Sequence, residues 1–197
     1  VPFDGMLAKT KAHGIDGELL KWLQNWTIDR RQRVVLNGAA SSWTDVLSSV
    51  VQGSVLGPVL FLMYINDLDI EILKADSDIY VSKFADDTKL GREITSTSDS
   101  AKLQMGISNL VQWCSNWGMS LHPEKCVVLH FGAKTPQNDY YIDGIKIKDE
   151  DVTRDLGVHV SITGEPSAHV NKIAKKAHCV LSQIRRATVL RDSSTIV

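Results

Sequence analysis

Hydrophobic positions along this chain switch between the helical period and the strand period. Leu19, Leu20, Leu23 and Trp26 follow Asp16 at helical spacing, which predicts a helix capped by Asp16 with its apolar face packed on a sheet. Gln32 to Asn37 and Trp43 to Val51 then read as a hairpin around Gly38-Ala39-Ala40. Pro58, placed for a first turn, opens an apolar helix to about Leu68 that is hydrophobic enough on every side to be buried nearly all round. Ile79 to Lys83 and Thr88 to Leu90 are two strand-like runs meeting at a tight turn. From Ser98 or Asp99 onward, Leu103, Ile107, Leu110, Val111, Cys114 and Trp117 mark a long amphipathic helix. Cys126 to Phe131 reads as a strand, and Tyr140 to Ile147 as a hairpin whose Asp143-Gly144 pair suits a type I′ turn. A Gly164–Pro166 break introduces a last helix with Val170, Ile173, Ala174, Ala177, Leu181 and Ile184 on one side and Lys172, Lys175, Lys176 and Arg186 on others. The expected class is α+β, a small antiparallel sheet backed by helices. No repeat or low-complexity linker interrupts it, and the first domain boundary falls near Ser161, dividing 1–160 from 161–197.

Composition narrows the class of protein. At 197 residues and 43% hydrophobic, the chain has enough apolar material for a core and is not disordered in bulk. No apolar run reaches bilayer length and no charged-then-apolar leader opens the sequence, so a soluble intracellular protein, nuclear or cytoplasmic and without a membrane partner, is expected. Three cysteines (Cys114, Cys126, Cys179) without Cys-x-x-Cys spacing suggest neither a disulfide framework nor a zinc knuckle, and a reducing compartment follows. The six histidines show no ligand spacing.

Net charge is −1, which argues against a uniformly basic nucleic-acid binder, yet the charge is unevenly spread. From Asp67 to Asp87 seven acids (Asp67, Asp69, Glu71, Asp76, Asp78, Asp86, Asp87) face two lysines, whereas Pro166 to Arg191 holds six bases and no acid. Such a split suits a metal-binding core beside a flank that grips phosphates, and it also suits solvated faces. Arg30, Arg31 and Arg33 form a smaller basic cluster.

Candidate chemistry concentrates at Phe84-Ala85-Asp86-Asp87, two adjacent carboxylates at the tip of the second hairpin. Their mutual repulsion is commonly offset by a divalent cation, although an Asp-Asp pair by itself also describes an ordinary solvated turn. Upstream lies Gln52-Gly53-Ser54-Val55-Leu56-Gly57-Pro58, running into Val59 to Leu68; downstream lies Trp117-Gly118-Met119-Ser120-Leu121-His122-Pro123-Glu124-Lys125-Cys126.

These three blocks, in this order and spacing, resemble a reverse transcriptase, and in particular the polymerase of non-LTR, Jockey-like retrotransposons. Val1-Pro2-Phe3 through Gly14-Ile15-Asp16-Gly17, Arg31-Gln32-Arg33-Val34 and Asp155-Leu156-Gly157-Val158 extend the resemblance over essentially the whole chain. It implies a polymerase palm over 1–160 and the start of a helical thumb over 161–197. It also implies RNA-directed DNA synthesis in retrotransposition: a primer 3′-hydroxyl attacks the α-phosphate of a dNTP on an RNA template, assisted by two Mg²⁺ ions, with Mn²⁺ as an alternative. In this scheme Asp86 is the hairpin ligand shared by the metals and Asp87 a supporting carboxylate. Gln52 and Gly53 approach nucleotide and template, and Lys125 lies near the leaving pyrophosphate as general acid or electrostatic partner. Lys172, Lys175 and Lys176 hold the primer–template backbone.

Two departures from the family pattern bear on activity. The family's first metal-binding Asp lies a few residues before the Val-Pro-Phe segment with which this chain begins, so that ligand and most of the fingers are expected to be missing. Val51 also stands where the family usually has proline, which removes a fixed φ before Gln52. The alternative expectation is therefore a catalytically dead relic that acts at most as a nucleic-acid-binding module.

Overall fold

The computed structural model describes residues 1–132 and 136–188. Arg191 and the end of the expected thumb start, 189–197, lie outside them. The chain forms two compact units, one of Val1–Pro123 with Tyr140–Lys146, the other of Glu124–Asp139 with Ile147–Val197. Helices and small antiparallel ladders alternate in an α+β arrangement.

In the first unit, α1 (Phe3–Ala12) packs against α2 (Gly17–Thr27). Asp16 stands at the N-cap as its sequence position implies, but its side chain makes no capping bond. The expected sheet under this helix is instead the helix α1: only Leu23 of the four apolar positions is fully buried, and Leu19 remains exposed. A short nested hairpin follows. β1 (Arg31–Gln32) pairs with β4 (Thr44–Asp45), and β2 (Val35–Leu36) pairs with β3 (Ala39–Ala40). Its tip is Asn37-Gly38, both at positive φ (50° and 82°), which moves the turn one residue before the expected one. All eight strand residues are exposed, and the ladder is joined by an Arg31–Asp45 ion pair at 3.1 Å and by Arg33 over the Trp43 ring at 4.6 Å.

The helix opened near Pro58 is two helices, α3 (Leu56–Tyr64) and α4 (Leu68–Leu73). It is not buried all round: Gly57, Leu60 and Tyr64 face inward, whereas Val59 and Leu62 are about half exposed, because α3 packs on α1 along one side. β5 (Tyr80–Phe84) and β6 (Asp87–Gly91) form the second hairpin. α5 (Thr97–Asn116) starts slightly before the expected residue, since Ser96 caps it: the Ser96 side chain accepts from the Asp99 amide and Asp99 reaches back to the Ser96 amide. Ile107, Leu110, Trp113 and Cys114 bury the inner face of α5 against α4. Gly106 is where that face comes closest to its neighbours, since a Cβ there would lie 2.7 Å from Ile79 Cδ1. β8 (Tyr141–Ile142) and β9 (Ile145–Lys146) turn at Asp143-Gly144, both at positive φ as the expected type I′ turn requires, and β8 lies on α5.

The core lies in this unit, built from Met6, Leu60, Tyr64, Ile72, Ile79, Leu110 and Trp113 among others. Each fully buried aliphatic side chain contributes about 1.5–3 kcal/mol relative to exposure. Lys9 is carried into this core: it is 6% exposed, paired with Asp67, and its ammonium lies 3.6 Å from the Trp117 ring centre. The aromatic faces and the carboxylate replace the water it loses. Burial pushes the Cys114 thiol up to about 11, leaving no thiolate for nucleophilic work at neutral pH.

A 3₁₀ turn over Pro123–Lys125 leads into the second unit and to β7 (Val127–Val128), much shorter than the expected strand to Phe131 and paired in parallel with β10 (Lys148–Asp149). β11 (Val152–Asp155) and β12 (Val158–Ser161) form an antiparallel hairpin, and α6 (Ser167–Ala187) packs against β12. No helix among the described residues is long and apolar enough to cross a membrane.

Candidate active site

The β5–β6 hairpin presents the two carboxylates by simple alternation. Val81↔Leu90 and Lys83↔Thr88 share one face, Phe84↔Asp87 and Ser82↔Lys89 the other. Val81 and Leu90 pack on the core, so Asp87 lies on the outward face and Asp86 in the two-residue turn between Phe84 and Asp87. Both are exposed. Ala85, the first turn residue, has φ 51°, a left-handed conformation that two-residue hairpin turns normally give to glycine or asparagine.

Three anchors hold this hairpin. At its base, the Arg92 side chain (6% exposed) places Nη1 2.6 Å from Asp76 Oδ1 and Nη2 3.0 Å from Asp99 Oδ1, while Lys102 Nζ lies 2.7 Å from Asp76 Oδ2. The loop before β5, the end of β6 and the start of α5 are thereby tied together. The Lys102 hydrogen bond, with help from the Asp78 amide and Arg92, lowers Asp76 to about 2, and Arg92, Thr95 and Ser96 hold Asp99 well below the usual carboxylate range. At mid-length, Val81 and Leu90 contact the core. Near the tip, Lys83 donates to the Ile65 carbonyl (3.0 Å), the Asn66 carbonyl (3.2 Å) and Asp69. This ammonium caps the C-terminal end of α3, where orphan carbonyls and the helix dipole favour a cation. Nothing in the sequence pattern marked Lys83 as different from an ordinary strand lysine.

The acidic stretch from Asp67 to Asp87 now separates into structural and unpaired members. Asp67 pairs with Lys9, Asp69 with Lys83, Glu71 with Lys74, and Asp76 and Asp78 with Arg92. Of the seven, Asp86 and Asp87 alone take no ion-pair partner among the described residues. Among the described residues, no group of three or more His, Cys, Asp or Glu stands ready to hold a metal ion.

The Gln52-Gly53 turn opens α3. The Val51 carbonyl accepts from the Ser54 amide (3.2 Å) and hydroxyl (2.6 Å), and the Ser54 hydroxyl oxygen accepts from the Gly57 amide (2.9 Å). Gly53 sits at φ 78°, and a Cβ there would meet nothing within 4 Å, so its backbone conformation requires glycine and its outward side is open space. Gly57 is the tightly packed one: a Cβ there would lie 2.8 Å from the Val51 carbonyl oxygen and 3.0 Å from Ser54 Oγ. Gln52 and Gly53 are both exposed, in the same unit as Asp86 and Asp87, and α3 connects their turn to the carbonyls that Lys83 grips.

Lys125, exposed in its 3₁₀ turn, and Lys172, Lys175 and Lys176, exposed along α6, belong to the second unit. The lysines share α6 with apolar residues that are themselves exposed, Val170, Ile173, Leu181 and Ile184 at 43–56%. Sequence reasoning also passed over Arg154 and the His159–His169 pair, whose rings meet edge to face at 6.0 Å. Ten residues of separation gave no periodic sign of that meeting.

Residues 1–164 match the reverse transcriptase (RNA-dependent DNA polymerase) family. Among curated relatives, the RNA-directed DNA polymerase from mobile element jockey of Drosophila melanogaster is 26% identical over 174 residues, covering 86% of this chain and 19% of that protein. The probable RNA-directed DNA polymerase from transposon X-element of Drosophila melanogaster is 27% identical over 154 residues, 77% of this chain and 17% of that protein. One from transposon BS of the same organism is 23% identical over 195 residues, 92% of this chain and 21% of its own length. The chain thus spans about a fifth of the length of these relatives. The acidic hairpin, the glycine-rich opening of α3 and the match over residues 1–164 together place this chain in the reverse transcriptase family.

Proposed function

We propose that this chain carries the nucleotidyl-transfer segment of an RNA-directed DNA polymerase that extends a DNA primer on an RNA template during retrotransposition. The observation that supports it best is the division of the acidic stretch: five acids are consumed by ion pairs, while Asp86 and Asp87 stand exposed at the hairpin tip without an ion-pair partner among the described residues.

Two exposed carboxylates without an ion-pair partner among the described residues suit a hard divalent cation, which commonly binds through one or two carboxylates and completes its shell with water and substrate phosphates. Asp86 and Asp87 would hold Mg²⁺, or Mn²⁺ in its place, Asp86 as the shared ligand and Asp87 in support. Bound there, such ions lower the barrier by neutralising charge on the transferring phosphate. The chain's own part is positional. The hairpin, fixed at base, middle and tip, keeps the two carboxylates in one place, and the Gln52-Gly53 turn offers an open backbone surface to nucleotide and template. Lys125 would offset developing pyrophosphate charge, and Lys172, Lys175 and Lys176 would contact phosphates of the primer–template.

The test uses the chain itself and a longer polymerase that contains it. Mn²⁺ added to the isotopically labelled chain should broaden NMR signals first at residues 84–88, and Asp86→Asn or Asp87→Asn should remove that focus. In the longer polymerase, Asp86→Asn keeps side-chain volume but removes the charge, so primer extension should fall by several orders of magnitude while primer–template binding barely changes. Extension at parental rates by Asp86→Asn would sink the assignment.

A second reading draws on the lack of a three-donor group among the described residues. By itself the chain would bind nucleic acid without extending it. Given Mg²⁺, dNTPs and a primed RNA template, the chain alone should show no robust extension; extension that Asp86→Ala abolishes would contradict this second reading.

A further inference from the structure

The Gln52-Gly53 turn and the acidic hairpin, the two halves of the transfer site proposed above, are tied together at residues 65–69, the bend between α3 and α4. From the hairpin side, Lys83 donates to the Ile65 and Asn66 carbonyls and to Asp69. From the other side, α3 carries nine residues between the turn and the bend, a rod of about 13 Å at 1.5 Å per residue. Tilting such a rod by about 4° at the bend moves its far end by about 1 Å. The bend therefore sets how the backbone at Gln52-Gly53 stands against Asp86 and Asp87.

Asp67 stands in this bend, at the N-cap of α4. An aspartate there normally accepts from an amide of the first helical turn, yet Asp67 makes no capping bond. Its carboxylate turns across the core instead, where Oδ2 takes the buried Lys9 ammonium from α1 and Oδ1 accepts from Trp113 Nε1–H of α5 at 3.2 Å. One side chain thus fastens the bend to two helices, 58 and 46 residues away. A forgone cap and a buried cation both cost local stability, and Lys9 without its counter-charge would be left with the Trp117 ring alone. We propose that Asp67 is a positioning residue for nucleotidyl transfer: held by Lys9 and Trp113, it fixes the bend that Lys83 grips, and with it the spacing between the Gln52-Gly53 turn and the Asp86-Asp87 tip.

This role rests on the reading of Asp86 and Asp87 as the transfer site. The experiment uses Asp67→Asn, which keeps side-chain size and an acceptor for Trp113 but removes the charge that Lys9 meets. In the longer polymerase that contains this chain, kcat should fall about tenfold, less than the hundredfold or so that a full 1 Å misplacement can bring, while KM for the dNTP stays the same. In the chain itself, amide exchange at residues 84–88 should accelerate more than in α1. A pair that merely holds α1 in place would do the reverse: exchange would rise along α1, the tip would be unaltered and kcat would not move, and that result would overturn the proposal. A second comparison adds Lys83→Met. With the grip on the bend already lost, Asp67→Asn should then lower kcat little further; additive losses would overturn the shared path through the bend. Asp86→Asn in the same assay separates the two readings. If it extends primers at parental rates, the catalytic reading falls and this role with it; if it is inactive while Asp67→Asn turns over normally, the positioning role falls alone. Should Asp67→Asn fail to fold by circular dichroism, Lys9→Met with Asp67→Asn leaves no buried charge uncompensated and carries the same measurements.

Discussion

At the scale of single residues, the hairpin tip combines strain with support. Ala85 holds φ 51° without being glycine, which costs roughly 1–2 kcal/mol relative to an unstrained residue. Ala85→Gly should therefore raise the stability of the chain, by about 1 kcal/mol after glycine's extra unfolded-state entropy is subtracted, read as an increase in the midpoint of chemical unfolding. Lys83 works in the opposite sense. Lys83→Met leaves Asp69 without its cation and strips the Ile65 and Asn66 carbonyls of their donor, so a loss of about 1–3 kcal/mol is expected, with amide exchange at residues 82–88 accelerating more than in α5. Equal acceleration everywhere would mean that Lys83 stabilises the unit without anchoring the tip. Gly57→Ala should cost about 1–3 kcal/mol, because the backbone oxygen of Val51 cannot move aside as a side-chain end would; a thermal melt decides this.

At the scale of elements, the base of the hairpin predicts a pH dependence. Asp76 and Asp99 are both depressed in the folded chain, Asp76 to about 2, below the ordinary carboxylate value of 3.8 that an unfolded chain would show. The unfolded state therefore binds more protons through this range, and the contribution of these groups is complete above about pH 4 and fades as the pH falls toward 2. Arg92→Met should flatten the acid limb of the stability curve between those values; an unchanged limb would show that Arg92 does not govern it. Periodicity and packing divide the work of orienting the helices. The periodicity of α5 placed Ile107, Leu110 and Cys114 inward and the structure buries them, because a long helix with one apolar stripe has one way to satisfy it. For α3 the apolar composition was uniform, and no periodicity could say which side would be covered; packing on α1 selected Gly57, Leu60 and Tyr64.

At the scale of the whole molecule, charge is partitioned more sharply than a net value of −1 suggests. The acids of the first unit mostly neutralise local cations, whereas Lys172, Lys175 and Lys176 remain exposed along α6. Neutralising these three should flatten the salt dependence of duplex binding by about two to three units of slope, at roughly 0.7–0.9 per phosphate contact; an unchanged slope would make α6 an ordinary amphipathic surface helix. The family, the α+β class, the acidic hairpin and the Asp143-Gly144 turn were legible from the sequence alone, because each rests on local spacing: a two-residue turn between strand runs, glycines where φ is positive, an ordered set of short motifs. The tertiary structure alone decided which acids are free. Asp67 meets Lys9 across 58 residues and Asp69 meets Lys83 across 14, so no window of sequence could separate them from Asp86 and Asp87.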